Sequence, residues 1–261
     1  MPTITSRQNP LVTRYRDAAR GDASGPLLLD GVHLVHDAIA AGLHLEAVAI
    51  TTAARADPAL HDLLSSVGRA SVAVAEVTTA VMDAISPVRS SSSIVALATR
   101  PAPRESAIFD SDRSLAVIVV DVQDPGNVGA IIRVAEAAGA TGVLVAGSSA
   151  DPFGWKALRG SMGSTLRVPI ASHVDVDHAV GVARAAGCRI IATTPRGGRS
   201  LSDANLRGPI AILIGGEGPG LPQALLEAAD ERVTIPMRAP VESLNAAVTA
   251  ALALYEVRRQ R

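Results

Sequence analysis

Leu115-Ala-Val-Ile-Val-Val-Asp121-Val-Gln-Asp124-Pro-Gly-Asn127-Val-Gly-Ala-Ile-Ile-Arg133 is the stretch on which the architecture turns. Its first half is an unbroken apolar run, which suits a parallel strand covered on both faces. Its second half changes to helical spacing after a polar turn with proline and glycine, and predicts a helix over Val128–Ala138. The pattern repeats downstream: strand Gly142–Ala146, helix Lys156–Met162, helix Val176–Ala186, strand Arg189–Thr193, strand Pro209–Ile214, strand Arg232–Ile235 and a closing helix from about Glu242. Strands that alternate with helices imply a mostly parallel sheet. Upstream, RPAPRESAIFDSD (100–112) reads as a linker. Before it, strands at Pro26–Leu29, Ala47–Thr51, Ser71–Val74 and Ser93–Leu97 alternate with helices Val32–Ala41, one opening at Asp57-Pro58, and Thr79–Ile85. The expectation is an α/β protein with a smaller N-terminal domain (1–99), a linker (100–113) and a larger C-terminal domain (114–261).

The chain has 261 residues, 48% hydrophobic and 2% aromatic, with 24 basic residues set against 25 acidic ones. Global charge therefore gives no pointer to nucleic acid, and a basic surface has to be local. One such region is the N-terminal arm, where Arg7, Arg14, Arg16 and Arg20 face a single acid, Asp17. Another is the acid-free stretch that holds Lys156, Arg159 and Arg167, and Arg196 and Arg199 are further candidates. Lys156 is the only lysine, so nearly all positive charge takes the planar form that grips phosphate bidentately. The solitary Cys188 excludes a disulfide framework and reads as a small buried hydrophobe. The six histidines show no metal-ligand spacing, so no metal is implied. No apolar stretch has the length of a membrane span, and MPTITSRQNP lacks the apolar core of a signal peptide, which together predict a cytoplasmic protein.

Three segments concentrate polar residues at strand ends, where open α/β sheets bind ligands. The first is Asp121 to Arg133. On spacing alone Asn127 reads as a helix cap, while Arg133 either pairs with Glu136 or reaches back toward the loop. The second, Ile214-Gly215-Gly216-Glu217-Gly-Pro-Gly-Leu221, is a glycine-rich turn that lets a ligand approach main chain. It matches neither a Walker loop nor G-x-G-x-x-G, which disfavours a Rossmann-type nucleotide enzyme. The third is Ile235-Pro-Met-Arg-Ala-Pro-Val-Glu-Ser243-Leu244-Asn245, where Ser243 reads as the cap of the last helix.

Taken together and in this order, the segments DPGNVGAIIRVAEAAG (124–139), LIGGEGPGL (213–221) and IPMRAPVESLNAAVTAALALYE (235–256) closely resemble the motifs of the SpoU/TrmH family of RNA ribose 2′-O-methyltransferases in the SPOUT superfamily. KALRGSMG (156–163) is also family-like, and residues 4–98 resemble the family's RNA substrate-binding domain more loosely. One departure is Asn-Ala-Ala where relatives usually carry Asn-Val-Ser.

The resemblance implies a C-terminal methyltransferase domain tied in a trefoil knot, a feature that no periodicity argument proposes. It implies S-adenosylmethionine as cofactor, held bent and largely by backbone groups, with Gly215, Gly216, Ile235 and Leu244 at the matching positions. It assigns catalysis to Arg133 with Asn127, and supporting roles to Glu217, Ser243 and Asn245. It also implies a homodimer through the C-terminal domain, and RNA as substrate, ribosomal rather than transfer RNA. Arg7, Arg14, Arg16 and Arg159 are the expected RNA contacts. Arginine is a poor proton acceptor in proteins, so Arg133 is expected chiefly to grip phosphate and stabilise the forming alkoxide. The scarcity of aromatics points away from base-stacking platforms and toward recognition by shape and backbone. An inactive RNA-binding relative would have lost these polar motif residues, and all of them are present.

Overall fold

Leu115–Val120 is a strand buried along its whole length, because it lies between two parallel neighbours in the middle of a seven-stranded sheet. These features come from a computed structural model that describes residues 3–21, 24–69, 72–109 and 112–261. The chain divides into two compact units, one formed by Met1–Ala102 with Phe153–Leu166, the other by Pro103–Pro152 with Arg167–Arg261.

The first unit holds four strands: β1 (Leu27–Asp30), β2 (Leu45–Thr51), β3 (Val74–Val77) and β4 (Ile94–Ala98). They are ordered β1-β4-β2-β3, with β2 and β3 parallel and the other pairs antiparallel. The expected strand at Ser71–Val74 begins outside the described residues, and the observed strand β3 starts at Val74. A helix the sequence reading did not assign, Pro10–Arg20, opens with an Asn9 cap and Pro10 at its first position and ends at left-handed Gly21. Its Tyr15 is buried, and the phenol donates to the Val95 carbonyl at 3.3 Å. Burial pushes the Tyr15 pKa well above its ordinary value.

Phe153–Leu166, expected with the second domain, packs with the first unit. The Arg100 guanidinium stacks over the Phe153 ring at 5.3 Å, and Trp155 lies against the apolar cluster that holds Tyr15 and Leu97. These contacts are long-range, so local sequence pattern does not announce them. The segment's helix, Trp155–Ser161, ends at Met162 in the left-handed conformation (φ 50°, ψ 46°), followed by Gly163 at φ 82°.

The second unit contains β5 (Leu115–Val120), β6 (Gly142–Ala146), β7 (Ile170–Val174), β8 (Arg189–Thr193), β9 (Arg199–Ser200), β10 (Ile210–Gly215) and β11 (Glu231–Thr234). They are all parallel, in the order β7-β6-β5-β10-β8-β11-β9. Strands β7 and β9 and the helix Gln223–Ala228 were absent from the sequence reading. The expected linker is only partly one. Glu105–Ile108 is a helical turn whose Ile108 is fully buried in the second unit's core, while residues 110 and 111 lie outside the described ones. Cys188 is buried, as its apolar surroundings in sequence suggested. No helix among the described residues is long and apolar enough to cross a membrane.

Two helices of this unit pack side by side, Pro125–Ala138 and Ala246–Gln260. Asn245 at the start of one bonds Asn127 at the start of the other, and Arg258 donates to the Ala137 carbonyl at the far end at 2.7 Å. The pair is therefore parallel.

Candidate active site

The carboxyl ends of β8, β10 and β11, with the start of the Ala246–Gln260 helix, enclose a cavity of about 250 Å³. Leu201, Ile214, Val233, Ile235 and Leu244 supply apolar wall, and Thr193, Thr194, Glu217, Ser243 and Asn245 supply polar groups. Gly215, Gly216, Ile235 and Leu244, which the family resemblance assigns to the cofactor, all line it.

Of the three strand-end segments, the second and third line the cavity and the end of β5 does not. The crevice at the end of β5 is closed, because Gly216 lies directly on the Asp121 main chain. A Cβ at Gly216 would overlap the Asp121 carbonyl oxygen and stand 2.7 Å from its carbon. A Cβ at Gly215 would meet the Gly220 and Leu221 backbone at 2.6 Å. These glycines thus allow main chain to pack on main chain, and Gly218 and Gly220, at φ 91° and 67°, turn the loop back. The close approach expected for a ligand is made first by the protein's own backbone.

A relay of side chains joins the three motifs. The Asn245 carboxamide oxygen accepts from the backbone N–H groups of Ala247 (2.9 Å) and Val248 (3.3 Å), which makes it the cap of the closing helix. Its amide nitrogen donates to Asn127 Oδ1 at 3.0 Å, and Asn127 Nδ2 donates in turn to Glu217 Oε1. Two sequence expectations are corrected here. Ser243 is not the cap, since the helix begins at Ala246 rather than near Glu242, and Ser243 lies exposed on the cavity wall. Asn127 is not a cap either. Asp124 caps the Pro125–Ala138 helix by accepting from Asn127 N at 2.9 Å, which leaves the Asn127 side chain to the relay.

Arg133 is exposed on the same helix, outside the cavity lining and outside the relay. It does not pair with Glu136. That carboxylate is taken by Arg167, which bonds it through Nε and Nη2 at 2.7 and 2.9 Å. Glu217 meets Asn127 rather than Arg133. Sequence reasoning missed Thr193, Thr194, Pro195 and Met237, which also line the cavity. Their signal was position alone, at or just past the ends of strands β8 and β11.

The candidate arginines of the first unit differ in what holds them. Arg7 and Arg16 donate from Nε to the Ala80 and Ala84 carbonyls, each at 3.1 Å, while Arg14 pairs with Glu46 at 3.0 Å. Arg159 makes no ion pair with a described residue. Of the other candidates, Arg167, Arg196 and Arg199 pair with Glu136, Glu242 and Glu231. No group of three or more metal-ligating side chains occurs among the described residues.

Comparison with known proteins adds to this geometry. Residues 114–255 match the SpoU rRNA methylase family, and residues 1–112 match the N-terminal region of thiostrepton-resistance methylases. A Synechocystis protein described as an uncharacterized tRNA/rRNA methyltransferase is 32% identical over 99% of this chain and 94% of its own. The Bacillus subtilis 23S rRNA (guanosine(2553)-2′-O)-methyltransferase is 36% identical over 54% of this chain and 57% of its own. The crystal structure of an AdoMet-bound rRNA methyltransferase from Sinorhizobium meliloti superposes with a TM-score of 0.87, at 29% identity, covering 99% of this chain and 97% of that one.

Proposed function

The chain belongs to the SpoU rRNA methylase family, and from that premise we propose that it methylates a ribose 2′-hydroxyl of ribosomal RNA, 23S rRNA first, with S-adenosylmethionine as cofactor. The observation that carries the reading is the Glu217–Asn127–Asn245 relay at an apolar cavity, because it joins all three motifs at one place. The cavity fits the cofactor's chemistry. Its apolar wall suits an adenosyl group, its strand-end backbone supplies hydrogen-bonding groups, and the Glu217 carboxylate suits a positively charged ligand. Gly215, Gly216, Ile235 and Leu244 would hold the cofactor, which supplies an electrophilic methyl group.

The relay fixes the Asn127 amide, and Ser243 on the cavity wall offers a hydroxyl to the ribose. Alignment of nucleophile and methyl group contributes several kcal/mol in reactions of this kind. Arg133, exposed and without an ion pair to a described residue, is available to grip the neighbouring phosphate and stabilise the alkoxide as the proton departs. Arg7, Arg14, Arg16 and Arg159 of the first unit provide phosphate contacts.

A homodimer through the C-terminal domain completes this reading. Val248, Leu252 and Tyr255 form an i, i+4, i+7 stripe on the closing helix and are 46%, 45% and 51% exposed. Because the two helices run parallel from the Asn245–Asn127 bond, Leu252 stands level with Arg133, about 10 Å along the axis. A second copy that covers the stripe brings its own Arg133 to this cavity. The family's trefoil knot and a cytoplasmic location belong to the same proposal.

Asn245 separates capping from site chemistry. Asn245→Ala should lower stability by about 1 kcal/mol through loss of the cap. Asn245→Asp keeps an acceptor for the cap but removes the donor to Asn127, so its melting temperature should hold while methylation falls as far as in Asn245→Ala. Equal activity of Asn245→Asp and wild type would show that the relay is only structural. The substrate is tested by mass spectrometry of ribosomal and transfer RNA from cells with and without the gene. Loss of one 2′-O-methyl nucleotide from 23S rRNA is expected. Loss from transfer RNA would move the substrate, and no loss at all would overturn the activity.

A further inference from the structure

Between Trp155 and Leu166 the exposed side chains are Lys156, Arg159 and Met162, at successive spacings of three, while Ala157, Leu158, Ser161 and residues 163–166 are buried. Neither cation forms an ion pair with a described residue, although Lys156 lies 5.5 Å from the Trp155 ring centroid. Met162 is the unusual member. It is 54% exposed, and as the C-cap of its helix it occupies the left-handed region at φ 50°. Glycine adopts that turn without steric cost, as Gly163 does next to it at φ 82°. Conformational cost borne by an exposed apolar side chain points to use of that side chain.

We propose that Lys156, Arg159 and Met162 form one RNA contact, in which the cations hold successive phosphates and the thioether packs against an unstacked base. This rests on the RNA-substrate reading above. The charge of the flanking pair selects an anionic polymer rather than a neutral protein surface. Methionine is an adaptable apolar wedge between bases, and it takes a role that the aromatic-poor composition leaves unfilled. The phosphate contacts give affinity without sequence preference, whereas the methionine acts only where a base is splayed from its stack.

Trp155 is the only tryptophan, so its emission reports RNA arriving at this surface. The titrant is full-length 23S rRNA transcribed in vitro, added to the full chain over a range of salt. Arg159→Gln should flatten the plot of log affinity against log salt by about one unit. Met162→Gly should retain or raise the melting temperature, lower affinity about tenfold and leave the salt slope unchanged. Met162→Leu should restore binding. A purely structural Met162 would give the opposite pairing, with stability altered and affinity intact. Wild-type affinity in Met162→Gly overturns the contact, as does a shift of its sedimentation coefficient to monomer with RNA binding intact. Failure of the wild-type protein to bind rRNA overturns the substrate reading and this contact with it, whereas failure confined to the variants overturns the contact alone.

Discussion

Arg133→Ala should lower methyl transfer about 10²–10³-fold, the range seen when one preorganised donor to developing charge is removed. Its melting temperature should match that of the wild type, because the guanidinium makes no hydrogen bond or ion pair with a described residue and Glu136 is already held by Arg167. Arg133→Lys should fall nearly as far. An ammonium supplies charge, but not the planar fork that binds a phosphate and a forming alkoxide together. The loss should appear in kcat more than in KM, since charge on the 2′-oxygen develops only in the transition state. Near-full activity of Arg133→Lys would sink the bidentate role. The same residue tests the dimer. Mixing Arg133→Ala with a Glu217→Ala, Asn245→Asp double variant should restore about a quarter of wild-type activity if each arginine serves the partner's cavity, because half the dimers then carry one intact site. If Arg133 serves its own chain, no mixed dimer has an intact site and nothing is restored.

Much of this site was legible in sequence, for a physical reason. The β5 run is apolar without interruption because both its faces are covered, and polar residues gathered at the ends of such strands stand out. Harder to read was the allocation of roles among adjacent polar residues. Asp124 and Asn127 are both competent caps, as are Ser243 and Asn245. Which one caps is decided by the Asn127–Asn245 bond, between residues 118 apart in sequence. The same competition placed Arg167, rather than Arg133, on Glu136. Strand β7 escaped notice because its register shifts against β6 and His173 takes a positive φ, which breaks the alternation that marks a strand. The close approach of the β10 end to the β5 end was hidden for a related reason. The crevice is present in the topology, but backbone from β10 fills it, and composition does not report where two main chains touch.

That contact carries the second large effect. Gly216→Ala should leave little folded protein, with a loss of about 3 kcal/mol or more in whatever can be recovered. The new methyl group would overlap the Asp121 carbonyl, and nothing there is flexible enough to yield. Asp121 sits at φ 54°, its carboxylate accepts from the Ser148 N–H at 2.7 Å, and a Cβ at Gly147 would press on the same carboxylate. Gly216 is also bridged to Gly220 across the turn, so moving it displaces the cavity wall. Gly218→Ala is the control. It has φ 91° but no atom within 4 Å of an added Cβ, so it bears only the left-handed backbone cost of about 1–2 kcal/mol. Denaturant midpoints of the two variants measure the difference directly. If they coincide, the Gly216–Asp121 approach is compliant and the glycine is there for the cofactor alone. If Gly216→Ala collapses while Gly218→Ala folds and still binds S-adenosylmethionine by calorimetry, the paired glycines at 215 and 216 serve first to lay one strand end on another. The cavity is then a consequence of that crossing.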